Sequence, residues 1–220
     1  MDAAEAMDPG EGGARGRPAA GADPRKREQI LEGAWRAFRD RGFDAASMED
    51  VRREAGVSKG TLYVYFEGKE ELFEALVERQ RDGLLAGLAP LLDGPEPLAD
   101  RLGRFGRRLA ALMCSDEAIR AQRAVIHMAE RMPHLSARFH DGGVERAQGP
   151  LRRALQGEAE AGRLRVPDVP ATAQRFVDLA LSGLWRPRLY GVMPRPPSEA
   201  QVAAAVAEAV RFVVARNAPA

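Results

Sequence analysis

Twelve residues, Ala55 to Phe66 (AGVSKGTLYVYF), constrain this chain more tightly than any other stretch. Gly56 marks a tight turn, Ser58 is placed to cap, and the helix that follows ends near Phe66. An isolated helix needs about 12–15 residues to be even marginally stable in water. The segment therefore forms only if neighbours clamp it, and Leu62 and Phe66 supply the face to be clamped. Lys59, Thr61, Tyr63 and Tyr65 are left on the outer side. A short, braced helix with donors pointing outward suits insertion into the major groove of DNA.

The sequence upstream provides the brace. Asp23-Pro24 is an N-cap followed by proline at the first helical position. Ile30, Leu31, Ala34, Trp35 and Phe38 then form one wide apolar stripe, which Gly42 ends. Ser47 opens the next helix, with Asp50 three positions later in a capping-box arrangement. Met48, Val51 and Ala55 face inward, and Gly56 stops it. Two helices joined by a short glycine-containing turn predict a helix-turn-helix, and residues 23–68 read as a three-helix DNA-binding domain.

Residues 1–22 carry no bulky apolar side chain beyond Met1 and Met7 and predict a disordered tail. Residues 69–217 predict a larger helical bundle, with helices near 69–92, 98–114, 116–130, 143–161, 170–190 and 198–216. The expected breaks are Gly94 to Pro97, Pro133, Gly142-Gly143, Pro167 to Pro170 and Pro194 to Pro197. Ala, Leu, Arg and Glu dominate, and little of the chain alternates as a strand would. The expectation is an all-α protein of about nine helices. The 45% apolar content suffices for a core. The lone Cys114 suits a reducing, cytoplasmic setting. No apolar run approaches a membrane span, so no membrane partner is expected. Net charge is +1, and residues 23–70 balance ten basic against ten acidic side chains. Phosphate binding must then rest on a few well-placed donors. The only lysines, Lys26, Lys59 and Lys69, all lie there.

Asp44 to Phe73 (DAASMEDVRREAGVSKGTLYVYFEGKEELF) resembles the DNA-binding region of the TetR family of bacterial transcriptional regulators, of TetR/AcrR type. Ser47, Ala55-Gly56-Val57-Ser58, Gly60-Thr61-Leu62-Tyr63, Tyr65-Phe66 and Lys69 fall in register. Arg123 to Phe139 and Gly162-Arg163-Leu164 resemble the AefR-like C-terminal subgroup. Arg52 departs from the small residue usual at that position, so either helix two packs less tightly there or Arg52 reaches a phosphate. The resemblance implies an all-α homodimer, a DNA-reading domain at each N-terminus, and a pocket for a small-molecule effector in each bundle. It implies a repressor that leaves a pseudo-palindromic operator when the effector binds.

On that basis the candidate DNA-binding residues are Lys26, Ser47, Arg52, Ser58, Lys59, Gly60, Thr61, Tyr63, Tyr65 and Lys69. Gly60 lets the backbone approach the groove; Lys59 can donate to guanine or phosphate. Ser47 and Lys69 sit at helix starts, where free N–H groups attract phosphate. Capping alone equally explains Ser47 and Ser58, and Tyr63 or Tyr65 can simply cover apolar surface. In the bundle, Phe105, Leu109, Met113, His127, Met128 and Trp185 are candidates to line an apolar effector cavity. The last two helices, with Phe176, Leu179, Leu184, Val202, Val206, Val210 and Val213, are expected to form a two-fold dimer interface. His127, His134 and His140 lack metal-ligand spacing, and neither a cofactor nor a catalytic group is expected. The rival readings are a helical-bundle enzyme, a DNA-bound regulator controlled by a protein partner, and an activator.

Overall fold

The computed structural model describes residues 23–217, so the tail expected over residues 1–22 lies outside the described residues. These residues form ten α-helices and one 3₁₀ turn, with no strand among them. The class is all-α. The chain divides into two compact units between Phe73 and Glu74.

In the first unit, α1 (Pro24–Arg41) starts where Asp23 accepts hydrogen bonds from the Arg25 and Lys26 amides, and ends at Gly42. The helix α2 (Met48–Ala55) has a complete capping box between Ser47 and Asp50 and ends at Gly56 in the left-handed conformation (φ 64°). The short α3 (Lys59–Tyr65) follows. Gly33 sets how closely α1 and α2 cross: a β-carbon there would stand 2.5 Å from the Ala55 backbone nitrogen. Ile30, Leu31, Ala34 and Phe38 are buried as expected, but Trp35 is 45% exposed. At about 100° per residue, position 35 turns past the edge of the buried arc that Gly33 centres on Ala55. Phe38, Phe43 and Phe73 close the base of the unit with ring centroids 4.9–6.2 Å apart.

The second unit takes the rest of α4 (Lys69–Leu85), a 3₁₀ turn (Ala89–Leu92), α5 (Leu98–Met113), α6 (Asp116–Met128), α7 (Pro133–Glu160), α8 (Val169–Ala180), α9 (Trp185–Leu189) and α10 (Glu199–Arg216). Phe105, Leu109, Leu151, Leu155, Phe176, Ala209 and Val213 are fully buried at its centre.

Three boundaries differ from the sequence reading. The helix expected over 69–92 stops at Leu85 before the 3₁₀ turn. The one expected over 170–190 divides into α8 and α9, with Gly183 at φ 70° between them. The break expected at Gly142-Gly143 does not occur, because α7 runs unbroken for 28 residues. Gly142 is instead a notch: a β-carbon there would overlap the guanidinium of Arg81, which donates to the Arg138 carbonyl at 3.2 Å. Removing a side chain makes room for a neighbour's, a tertiary demand that looks like a helix breaker in the sequence. No helix among the described residues is long and apolar enough to cross a membrane.

Candidate nucleic-acid interface

The αL turn at Gly56 lets the chain reverse within two residues, and the Ser58 hydroxyl then accepts from the Thr61 amide at 3.1 Å to start α3. Leu62 is 1% exposed and Phe66 2%. Burying each contributes roughly 1.5–3 kcal/mol, which anchors a helix too short to stand alone. Arg27 lies 5.2 Å over the Phe66 ring and covers it. Gln29 donates to the Ala55 carbonyl at 2.7 Å, and Arg36 to the Glu54 carbonyl at 2.6 Å, so α1 holds the end of α2.

What remains outward is one face of α3. Lys59, Gly60, Tyr63 and Val64 are exposed, Tyr63 by 46% and Val64 by 52%. Among the described residues neither Lys59 nor Tyr63 uses its side chain in a hydrogen bond or ion pair, so their polar ends are available. Thr61 is half-buried, its hydroxyl 2.8 Å from that of Ser58. Val64 was not among the residues singled out from sequence. Its place four residues after Gly60 is the signal that could have found it.

The other candidates are held by their own protein. Lys69 donates to the carbonyls of Phe43 (3.2 Å) and Asp44 (3.1 Å) and lies 4.8 Å over the Phe43 ring, fastening the loop between α1 and α2. The Tyr65 hydroxyl accepts from the Asp23 amide at 3.2 Å. Arg52 grips Glu49 through Nε and one terminal nitrogen and reaches the Val57 carbonyl, bracing the turn. Lys26 bonds the Gln29 side chain at 2.8 Å. The Ser47 hydroxyl donates to Asp50 at 2.7 Å and accepts from its amide. Those contacts, the Ser47 hydroxyl foremost, hold the Asp50 carboxyl down at about 2.

In the bundle, Phe105 and Leu109 are wholly buried in the core, with Met113 half-buried against it. Met128 is buried, whereas His127 on the same helix is exposed. Trp185 is half-buried and donates to Gln122 at 2.6 Å. Burial pushes the Cys114 thiol up to about 11. An open cavity of about 610 Å³ lies elsewhere, between the 3₁₀ turn, the start of α5 and the second half of α7. Leu92, Arg101, Pro150, Arg153, Glu158 and Arg163 line it. None of the six residues singled out for an effector cavity is among its walls.

Residues 30–76 match the family model for bacterial regulatory proteins of the tetR family, and residues 100–219 match that for the C-terminal domain of AefR-like transcriptional repressors. The chain is 28% identical over 162 residues to the HTH-type transcriptional repressor Rv1474c of Mycobacterium tuberculosis, covering 72% of this chain and 80% of that protein. It is 42% identical over 67 residues to the HTH-type transcriptional activator FasR of Mycolicibacterium smegmatis, covering 30% of this chain and 31% of that protein. Among solved structures, the flavonoid-responsive regulator FrrA superposes with a TM-score of 0.75 at 26% identity, over 90% of this chain and 99% of that one. A TetR-family regulator from Mesorhizobium loti gives 0.71 at 26% identity, over 88% and 97%. A braced α3 with one open polar face, continuous with a matching helical bundle, thus marks this chain as a member of the TetR family of DNA-binding transcriptional regulators, which are not enzymes.

Proposed function

We propose that this chain is a ligand-responsive repressor that binds a pseudo-palindromic operator as a dimer, reads it with α3, and is released by a small apolar or amphipathic effector. TetR-family regulators bind operators as dimers, and many respond to small molecules. The observation that carries the reading is the open face of α3: Lys59, Gly60, Tyr63 and Val64 are exposed, and the Lys59 and Tyr63 side chains make no hydrogen bond or ion pair among the described residues that would have to be displaced. Residues 23–68 act as the reading head and residues 69–217 as the effector-binding and dimerisation part, in the cytoplasm. Lys59 donates to guanine or phosphate, Gly60 admits the backbone to the groove, and the Thr61 and Val64 methyls meet thymine methyls. Tyr63 contacts phosphate and sugar. Ser47, Arg52, Ser58, Tyr65 and Lys69 serve the interface by holding α2 and α3 in register.

The dimer forms through α8 and α10. Phe176, Val202, Val206 and Val213 are spent inside the protomer, so the pairing surface consists of the outward alanines Ala203, Ala204 and Ala207 with the half-buried Val210 and Leu179. Small side chains let two such helices approach closely, and two-fold symmetry would place two α3 helices on successive half-sites. Effector control is supported by relatives: one is named a nicotine-responsive repressor (31% identical over 110 residues), and FrrA is named flavonoid-responsive. FasR is an activator by name, so the sign of regulation is read from a reporter.

Selection of bound fragments from a random DNA pool, followed by a screen for small molecules that release them, tests both halves. Enrichment of an inverted repeat is the expected result. A pool that stays random ends the operator reading.

A further inference from the structure

The cavity between the 3₁₀ turn, α5 and α7 has a wall built by buried charge. Glu158 is 5% exposed, accepts from Arg101 at 2.6 Å and from Arg163 at 2.7 and 3.1 Å, and its carboxyl is held below the ordinary range, chiefly by Arg163. Arg101 spends its other nitrogens on the Glu96 and Leu92 carbonyls, at 3.0 and 2.9 Å. All three of its nitrogens are committed, and it fixes the wall rather than serving an occupant. Arg163 is different: its side chain is 64% exposed and one terminal nitrogen takes no partner among the described residues. Arg153 is exposed and makes no hydrogen bond or ion pair among the described residues. Of the two carboxylates on the wall, Glu158 is already neutralised by two guanidinium groups, which leaves Asp93 against Arg153 and the remainder of Arg163. Beside these cations lie Ala89, Leu92, Pro150 and Ala154.

We infer that this cavity binds an amphipathic oxyanion, its charged end on Arg153 and the free donor of Arg163 and its apolar body on Leu92, Pro150 and Ala154. The volume of about 610 Å³ falls within the roughly 300–1,000 Å³ of ligand sites, and a few polar groups beside an apolar wall are their usual makeup. Guanidinium groups favour oxyanions because their planar donors match carboxylate and phosphate geometry. This deepens the effector reading above, on which it rests, by naming the chemical class of the effector and its location. The occupant would touch both α7 and the 3₁₀ turn that follows α4 in the chain, two segments whose spacing it would fix.

The test titrates the full-length protein, without DNA, with octanoate, octyl phosphate, octanol and octylamine, followed by calorimetry. Saturable binding of either oxyanion, absent for the alcohol and the amine, is expected. Binding of octanoate and not octyl phosphate assigns a carboxylate; the reverse assigns a phosphate. Arg153→Glu should weaken oxyanion binding by about tenfold or more, the loss of one charge-assisted partner, with an unchanged melting curve because Arg153 has no partner among the described residues to lose. Arg163→Ala, which leaves Glu158 its bond to Arg101, should weaken it too. Octanol binding as well as octanoate, no oxyanion binding at all, or an Arg153→Glu protein that melts and binds as the parent does would overturn the site. Because no DNA is present, those failures leave the operator reading standing, whereas a random selected pool with intact oxyanion binding sinks only the operator reading.

Discussion

The three helices before Phe66 each begin at a side-chain cap, Asp23, Ser47 and Ser58, and the first two end on a glycine at positive φ. In the second unit α5, α7 and α9 begin with no side-chain cap, and α7 runs through Gly142, Gly143, Gly149 and Pro150. Local chemistry sets the starts of α1, α2 and α3 in the first unit; in the second it sets those of α6, α8 and α10, capped by Ser115, Asp168 and Ser198, while packing sets those of α5, α7 and α9. A short helix that must meet DNA at a fixed angle needs its ends specified locally. A long helix held along its length by neighbours can carry residues that would otherwise break it. The two tryptophans, Trp35 and Trp185, fall one in each unit, so fluorescence in single Trp→Phe backgrounds reads the units separately.

The largest effect should fall on Arg188, the clamp of the second unit. It is 3% exposed and donates to the Cys114 carbonyl (2.9 Å), the Met193 carbonyl (3.0 Å) and Asp116 (2.5 Å). Arg188→Met leaves two carbonyls without a donor and should cost about 3 kcal/mol at the Trp185 transition in urea. The buried, high-pKa thiol of Cys114 gives a second readout. Its labelling in native protein should accelerate by about a hundredfold if it proceeds through the same opening. An unchanged labelling rate would show that α9 is not held by this residue.

Next comes Gly33, the corresponding close contact of the first unit. Gly33→Ala must push the α2 backbone away from α1 and should cost about 2 kcal/mol at the Trp35 transition. Gly157→Ala, at an exposed α7 position with nothing within 4 Å of the added carbon, should raise the Trp185 midpoint instead. Equal signs for the two would erase the contrast between a packing glycine and an idle one.

Operator binding separates the two units by function. Lys59→Ala and Tyr63→Ala should each weaken it by about tenfold, with melting curves unchanged. If Lys59 touches phosphate, the slope of log K against log salt becomes shallower by about 0.9. If it reads a base, the slope holds and the preferred sequence relaxes. Parent-like affinity in both variants would remove α3 from the interface.

The caps and glycines of the first unit were legible because each acts within three or four residues of itself. The Ser47–Asp50 capping box and the Gly56 stop were readable for that reason. Lys69 was legible as a donor but not as a fastener, since its acceptors are carbonyls of Phe43 and Asp44, placed by the fold of a loop 25 residues earlier. Val202, Val206 and Val213 were legible as an apolar stripe, but which neighbour buries a stripe is a tertiary fact. In this protomer the stripe faces inward, and the outward face sets Ala203, Ala204 and Ala207 among Gln201, Glu208 and Arg211. The cavity at Arg153 and Arg163 gave no sequence signal, because its walls come from two separate stretches of the chain, residues 89–101 and 150–163.

Acid should separate the units most subtly. The folded-state pKa of Asp50 is depressed from 3.8 to about 2, by the Ser47 hydroxyl first and its backbone N–H second. A carboxyl lowered by folding contributes stability that is whole above its unfolded value and is lost as pH falls toward the folded one. The Trp35 midpoint should therefore drop as pH falls from 3.8 toward 2, and Asp50→Asn should flatten that part of the curve. Asp40 and Glu49 are also lowered, by Arg39 and Arg52, and would blur the result at low salt. Both pairs are exposed and screened, so at about 0.5 M salt their share shrinks while hydrogen bonds from Ser47 persist. Glu158→Gln is the matching change in the second unit and should flatten the acid limb of the Trp185 transition alone. If Asp50→Asn and the parent lose their Trp35 transition along the same curve at high salt, the capping box is not what titrates. The first unit's stability in acid would then have to come from packing, as the starts of α5, α7 and α9 do.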